Sequence, residues 1–156
     1  MRFDLTTRAT PEQVLAAFTD FTDRRPEIWD RTLDPKTYEV RELGDTWAVA
    51  RESTRRSPFW VALRYDWSDP TVIRWTEFEN SYGGHGGGSL RIVPRSDGGS
   101  LLHAEWWATP APRARDRVLL FLLHSTMNRV VARVWRQTLD RYAEAAPARG
   151  DGRGGP

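Results

Sequence analysis

The chain contains no cysteine. Disulfides, thiolate nucleophiles and thiolate-held metals are therefore excluded, as is common in a reducing compartment. Lysine is nearly absent too, with Lys36 the single example, so arginine carries almost all of the positive charge. Acids balance it to a net charge of +2, and no basic stripe stands out. The arginine bias, alongside abundant Ala and Gly, fits a GC-rich coding sequence rather than a nucleic-acid surface, and no nucleic-acid partner is expected. Long apolar runs are missing as well. The longest, Val118 to Leu123, falls far short of the roughly 20 residues that cross a bilayer. Met1 to Thr10 alternates charged and apolar residues and has no core of signal-peptide length. No membrane anchoring and a cytoplasmic location are expected. The three histidines, at 85, 103 and 124, show no metal-ligand spacing, and no metal or cofactor is expected.

What is present is a 156-residue chain with 39% hydrophobic and 28% charged residues, enough for one domain with a sizeable core. Aromatic residues are plentiful: eight Trp, six Phe and four Tyr. The longest uninterrupted segment, about Arg113 to Ala146, has neither Gly nor Pro. Val118, Phe121, Leu122, Ala132, Trp135, Leu139 and Tyr142 recur in it at helical spacing, which predicts a long amphipathic helix. Ser125 and Asn128 fall on the same stripe as Leu122, and a polar pair there must find core partners or face a wet cavity.

Upstream the period is two. Arg2 to Arg8 reads as a half-buried strand, and Thr10-Pro11 with Gln13 reads as the capped start of a short helix. A second short helix follows Pro26, with Ile28, Trp29 and Leu33 as its apolar contacts. About six antiparallel strands come next, joined by turns at Gly44-Asp45, Ser68-Asp69-Pro70-Thr71 and Asp97-Gly98-Gly99. The run Gly83-Gly84-His85-Gly86-Gly87-Gly88 reads as a flexible break between strands, and lacks the Lys-Ser/Thr of a phosphate loop. Residues 147–156 are Gly, Pro and Arg with no large apolar residue, and disorder is expected there. A curled sheet and one long helix to fill it make an α+β, two-layer architecture.

That succession resembles the START-related, Bet v 1-like (SRPBCC) superfamily, in its polyketide cyclase/dehydrase and lipid-transfer branch. The opening strand into Thr10-Pro11-Glu12-Gln13-Val14, Trp29, the Gly/Trp-punctuated meander and the long final helix carry the resemblance, from about residue 2 to 146. It implies a helix-grip fold of about seven strands around the C-terminal helix, as a single domain over 1–146. It also implies a hydrophobic cavity for a lipid, polyketide or aromatic metabolite. Some members are enzymes and many only bind.

Candidate site residues follow from strand phase. The odd face of Phe59, Val61, Leu63, Tyr65 and Trp67 makes an inner wall, with Tyr65 as a proton donor or else a core tyrosine. Trp47, Val49 and Arg51 form a second face, with Arg51 either holding an anion in the cavity or joining Arg55 and Arg56 in a solvated turn. Glu77, in phase with Trp75, is a general acid or base if dry, or an outer-face partner of arginines. His103 and Glu105 form a pair only if a neighbouring strand adds a third group. Tyr82 and His85 are placed at the cavity mouth, and Leu122, Ser125 and Asn128 on the helix opposite. Slippage by one residue would exchange every inward candidate for its neighbour. The sequence thus supports a carrier or sensor of a hydrophobic small molecule, monomeric or homodimeric. The alternative is a cyclase, aromatase or dehydratase using Tyr65 and Glu77.

Overall fold

Alternation over Arg2–Thr7 produces the first strand, β1. Thr10 then starts helix α1, Pro11–Thr19, through a reciprocal cap. Its Oγ1 accepts from the Gln13 N–H at 3.3 Å, and Gln13 Oε1 accepts from the Thr10 N–H at 3.0 Å. Pro11 occupies the first turn, where a missing N–H costs nothing. One further turn, Arg25–Ile28 (α2), leads to Trp29 and Leu33, both buried. The computed structural model of the chain describes residues 2–118 and 127–145.

Six strands follow in a meander: β2 Glu39–Leu43, β3 Trp47–Glu52, β4 Val61–Asp69, β5 Val72–Asn80, β6 Gly86–Pro94 and β7 Ser100–Ala108. With β1 they build one antiparallel sheet in the order β1-β7-β6-β5-β4-β3-β2. The first strand thus returns to pair with the last, and α1 and α2 span from one edge of the sheet to the other. Two helical segments fall within the stretch predicted as one long helix: residues 114–118, and Met127–Ala145, which forms α3. The apolar stretch between them and the 147–156 tail lie outside the described residues. No helix among those described is long and apolar enough to cross a membrane.

Helix α3 lies against β1 and α1. Leu139 and Thr138 are buried, and Trp135 sits at the centre of a ring cluster. Its centroid is 5.1 Å from Phe18, 5.6 Å from Phe3, 6.1 Å from Trp29 and 6.5 Å from Trp106. Polar contacts fix the helix lengthwise. Asp140 Oδ1 accepts from Thr7 Oγ1 at 2.7 Å and from the Arg8 N–H at 2.9 Å, and Arg141 donates to Asp30 at 2.6 Å.

Two local features differ from the sequence reading. In β3 it is Ala48 and Ala50 that face the core, each 0% exposed and opposite Tyr65 and Leu63. Trp47, Val49 and Arg51 stand opposite Asp66, Arg64 and Ala62, on the convex side. Their assignment to an inner wall is corrected by this register. Phe21 stacks on Trp67 at 5.6 Å and packs on Tyr65, while Arg25 reaches Glu52, so the α1–α2 connection covers this part of the concave face. Methyl groups fit beneath it, and the large side chains turn outward. There the Arg64 guanidinium lies 4.3 Å over Trp47 and that of Arg51 4.2 Å over Trp60.

The second difference is the glycine run. Gly86, Gly87 and Gly88 belong to β6 rather than to a break before it. A Cβ on Gly88 would stand 2.4 Å from the Glu105 carbonyl, 2.5 Å from Trp75 Cζ2 and 2.7 Å from Trp106 Cβ. Tryptophans of the neighbouring strands fill the space that side chains would need. Gly88→Ala is accordingly expected to destabilise the fold by about 1–3 kcal/mol, as overpacking does, seen as a lower urea midpoint. A midpoint equal to that of the parent would show that the strands part without cost.

Candidate functional site

Between the concave face and the segment after β7 lies a cavity of about 530 Å³. Val61 and Leu63 of β4, Trp75 and Glu77 of β5, and Trp106 of β7 form its floor and sides. Thr109, Pro110 and Ala111 border it, with the exposed Arg117 beside them. None of the described residues of α3 lines it. Trp106 is the partition, packing on Trp135 towards the helix and lining the cavity on its other side.

Glu77 keeps the inward phase of Ile73 and Trp75, and a bulge follows it. Leu63 pairs with Glu77 but Ala62 pairs with Glu79, so Phe78 is an extra residue on β5 and is 51% exposed. Period two alone would put Glu77 and Glu79 on one face. The bulge sends Glu79 outward, where it pairs with Arg41, and leaves Glu77 inside. Gly86 makes room for the carboxyl: a Cβ there would lie 2.7 Å from Glu77 Oε2.

Glu77 is 8% exposed, and its carboxyl is half satisfied. Tyr82 Oη donates to Oε2 at 2.9 Å, while Oε1 is buried and finds no hydrogen-bond partner among the described residues. Tyr82 is set in place by the turn after β5, where Asn80 Oδ1 accepts from the Tyr82 N–H at 3.0 Å and the Gly83 N–H at 2.5 Å. Gly83 takes φ 77°, a left-handed conformation suited to glycine. Burial pushes the Glu77 carboxyl above the usual carboxylate range, and the hydrogen bond from Tyr82 offsets only part of that. Burial, and then the adjoining carboxyl, also raise the Tyr82 phenol, which stays a donor.

Of the candidates read from sequence, Val61, Leu63, Trp75, Glu77 and Tyr82 come together here. Phe59 precedes β4 and meets Tyr82 edge-on at 5.6 Å, outside the lining. His85 is exposed and outside it. Leu122 and Ser125 lie beyond the described residues, as does the side chain of Asn128. His103 binds Asp4 at 2.8 Å on the outer side of the sheet, so the third group brought by the neighbouring strand is a surface carboxylate. Among the described residues no three metal-ligating side chains converge.

Tyr65 does not line this cavity. Its hydroxyl donates to Glu52 Oε2 at 2.8 Å, and Glu52 Oε1 accepts from Arg25 Nε at 2.8 Å. Arg25 also donates to the Phe18 carbonyl at 2.8 Å and lies 4.2 Å from the Phe21 ring centroid. Burial, reinforced by Glu52, holds the Tyr65 phenol well above its ordinary value, so it serves as a fixed donor within a core network. Sequence reasoning passed over Trp106, although it shares phase with Leu102 and Ala104. It also passed over Arg25, which looks solvated beside Arg24.

No protein-family model and no curated protein matches the sequence. Solved structures do. The Zhui aromatase/cyclase from a Streptomyces species superimposes with a TM-score of 0.70 at 18% identity, over 96% of this chain and 97% of that one. Norcoclaurine synthase from Thalictrum flavum gives 0.67 at 10% identity, over 94% and 86%. A START superfamily protein from Mycobacterium smegmatis gives 0.66 at 12% identity, over 94% and 98%. At these identities the likeness is one of fold.

Proposed function

The chain has the helix-grip fold of START-like and Bet v 1-like proteins, and on that fold and its cavity we propose that it binds a hydrophobic or aromatic small molecule as a carrier or sensor. The observation that carries this reading is the cavity itself. Indoles of Trp75 and Trp106 and the aliphatic Val61 and Leu63 give a ring-shaped ligand apolar walls on several sides. The one carboxyl among them orients a bound molecule rather than solvating it. Two of the superimposed structures agree in kind, one an aromatase/cyclase and another a START superfamily protein.

Native mass spectrometry of freshly purified protein, followed by denaturation and analysis of the released fraction, tests the proposal. Tryptophan fluorescence then follows titration with tricyclic aromatics. Saturable quenching at one ligand per chain is expected. Trp75→Leu should weaken it about two- to tenfold, the worth of an aromatic contact. A clean apo mass together with non-saturable quenching by every ring compound would overturn the reading.

A second reading, an enzyme of the cyclase or dehydratase kind, draws on the Glu77–Tyr82 pair. A carboxyl with a raised pKa inside an apolar cavity is suited to proton transfer with a bound carbonyl compound. Turnover of a polyketide-like probe that vanishes in Glu77→Gln would move this reading ahead of the first.

A further inference from the structure

We infer that the convex face of the sheet carries a second binding site, a groove beside Gly87 that takes a neutral oligosaccharide, one sugar ring stacking on Trp107. The site is separate from the cavity, and the inference does not rest on the binding role proposed above.

The groove has a volume of about 640 Å³. Alternation along the strands sorts its lining. A Cβ on Gly88 would meet the side chains of both Trp75 and Trp106, so these three positions face the core. Their neighbours Arg74 and Thr76 of β5, Ser89 of β6, and Glu105 and Trp107 of β7 face the other way, into the groove. Trp107 pairs with Gly87 across the β6–β7 ladder. A Cβ on Gly87 would lie 3.4 Å from Cε2 and Cζ2 of the indole, so the ring reaches over the glycine, which is buried. Trp107 itself is 57% exposed. Glycine thus lets the indole settle close against the sheet, and the indole offers a broad apolar surface to whatever enters the groove.

Beside that surface the polar groups alternate in kind. Arg2, Glu105, Ser89 and Arg74 follow one another in register across neighbouring strands, at the roughly 4.8 Å spacing of paired strands. The Ser89 hydroxyl reaches Glu105 Oε1 loosely, at 3.4 Å. Among the described residues neither Arg2 nor Arg74 forms an ion pair. Two guanidinium donors, a carboxylate acceptor and two hydroxyls, those of Ser89 and Thr76, therefore stand next to one indole.

That mixture selects the occupant. A polyanion would meet Glu105 in the middle of the row, with Asp66 opposite Arg74 and Asp4 bound to His103 close by. A cation would meet Arg2 and Arg74. An apolar protein face would strip water from all three charges and return no partners. A sugar meets none of these obstacles. Its hydroxyls donate and accept at once, which suits guanidinium and carboxylate alike, and the C–H face of its ring suits the indole. Because the polar row crosses the strands, a short chain of rings fits it better than a single one.

Cellotetraose, maltotetraose and chitotetraose serve as neutral probes, and tetragalacturonate as the anionic one. Each is titrated into the full chain and followed by proton–nitrogen correlation spectra, with the methyl groups of Val61 and Leu63 reporting on the cavity. At least one neutral probe should saturate a single site, moving the Trp107 indole N–H and the amides of Ser89 and Glu105 while the cavity methyls stay still. Added salt should leave that affinity unchanged, because the ligand carries no charge to screen. Trp107→Ala should weaken it about two- to tenfold, and Trp107→Phe should regain part of the loss. Arg74→Gln should weaken it about three- to tenfold, the range of one hydrogen bond to a charged group. The same spectra show that each variant is folded. No saturable shift with any neutral probe overturns the inference, as does parent-like affinity in Trp107→Ala. Shifts confined to the Val61 and Leu63 methyls overturn it by placing the sugar in the cavity. Tighter binding of tetragalacturonate that falls with salt overturns the neutral ligand and assigns the groove to anions.

Discussion

Arg25→Met is expected to remove about 3–5 kcal/mol of stability, the range for breaking a buried ion pair from one side. The arginine is buried and neutralises Glu52, whose second oxygen holds Tyr65. Deleting the cation leaves a carboxylate in the core with the Tyr65 hydroxyl as its remaining side-chain partner. The connection between α1 and the sheet also loses the donor to the Phe18 carbonyl. Glu52→Leu added to Arg25→Met should recover part of the loss, because the pair is then replaced by apolar volume rather than broken. Urea unfolding of the single and double variants decides the matter. If the single variant falls no further than a surface substitution, within about 0.5 kcal/mol, the network is not the structural element assigned here.

Trp135→Ala should be comparably severe, at about 3–5 kcal/mol, because it empties the centre of the ring cluster that seats α3 on β1 and α1. It should also reach the cavity. Trp106 packs against Trp135 and lines the cavity on its other side, so losing the support frees its indole to shift into the space left behind. Weaker ligand binding is therefore expected from a substitution that touches no cavity atom, and Trp135→Phe should restore part of both losses. Parent-like affinity in Trp135→Ala would mean that the two sides of Trp106 are independent.

These contacts mark where sequence reasoning succeeds and where it stops. The reciprocal cap at Thr10 and Gln13 was legible because capping is local, and β1 because its polar and apolar residues alternate cleanly. The phase of Glu77 was legible from Ile73 and Trp75 immediately before it, but which face of β5 turns inward was not. The face of β3 was not legible. Apolar residues occupy both of its sides, so only the bulk of Phe21 and Arg25 packing above decides that alanines go in and Trp47 goes out. The bulge at Phe78 left no local signature, and neither did the pairing of Arg25 with Glu52, which lies 27 positions away. The glycine run was misread as a break because its cause is tertiary: the indoles of β5 and β7 occupy the room above and below it.

The pairing of β1 with β7 bears on how the chain can be made. Leu5 meets Leu102, and Thr7 meets Ser100 as well as Asp140 of α3. During synthesis the first strand therefore waits, with an open edge, until β7, about 100 residues further on, has left the ribosome. The β2–β7 meander can zip hairpin by hairpin in the meantime. Closing so long a loop is the slow event that topology imposes, placing folding towards the millisecond-to-second end of the range for single domains. Over that interval the unpaired β1 is the segment most open to joining the wrong sheet.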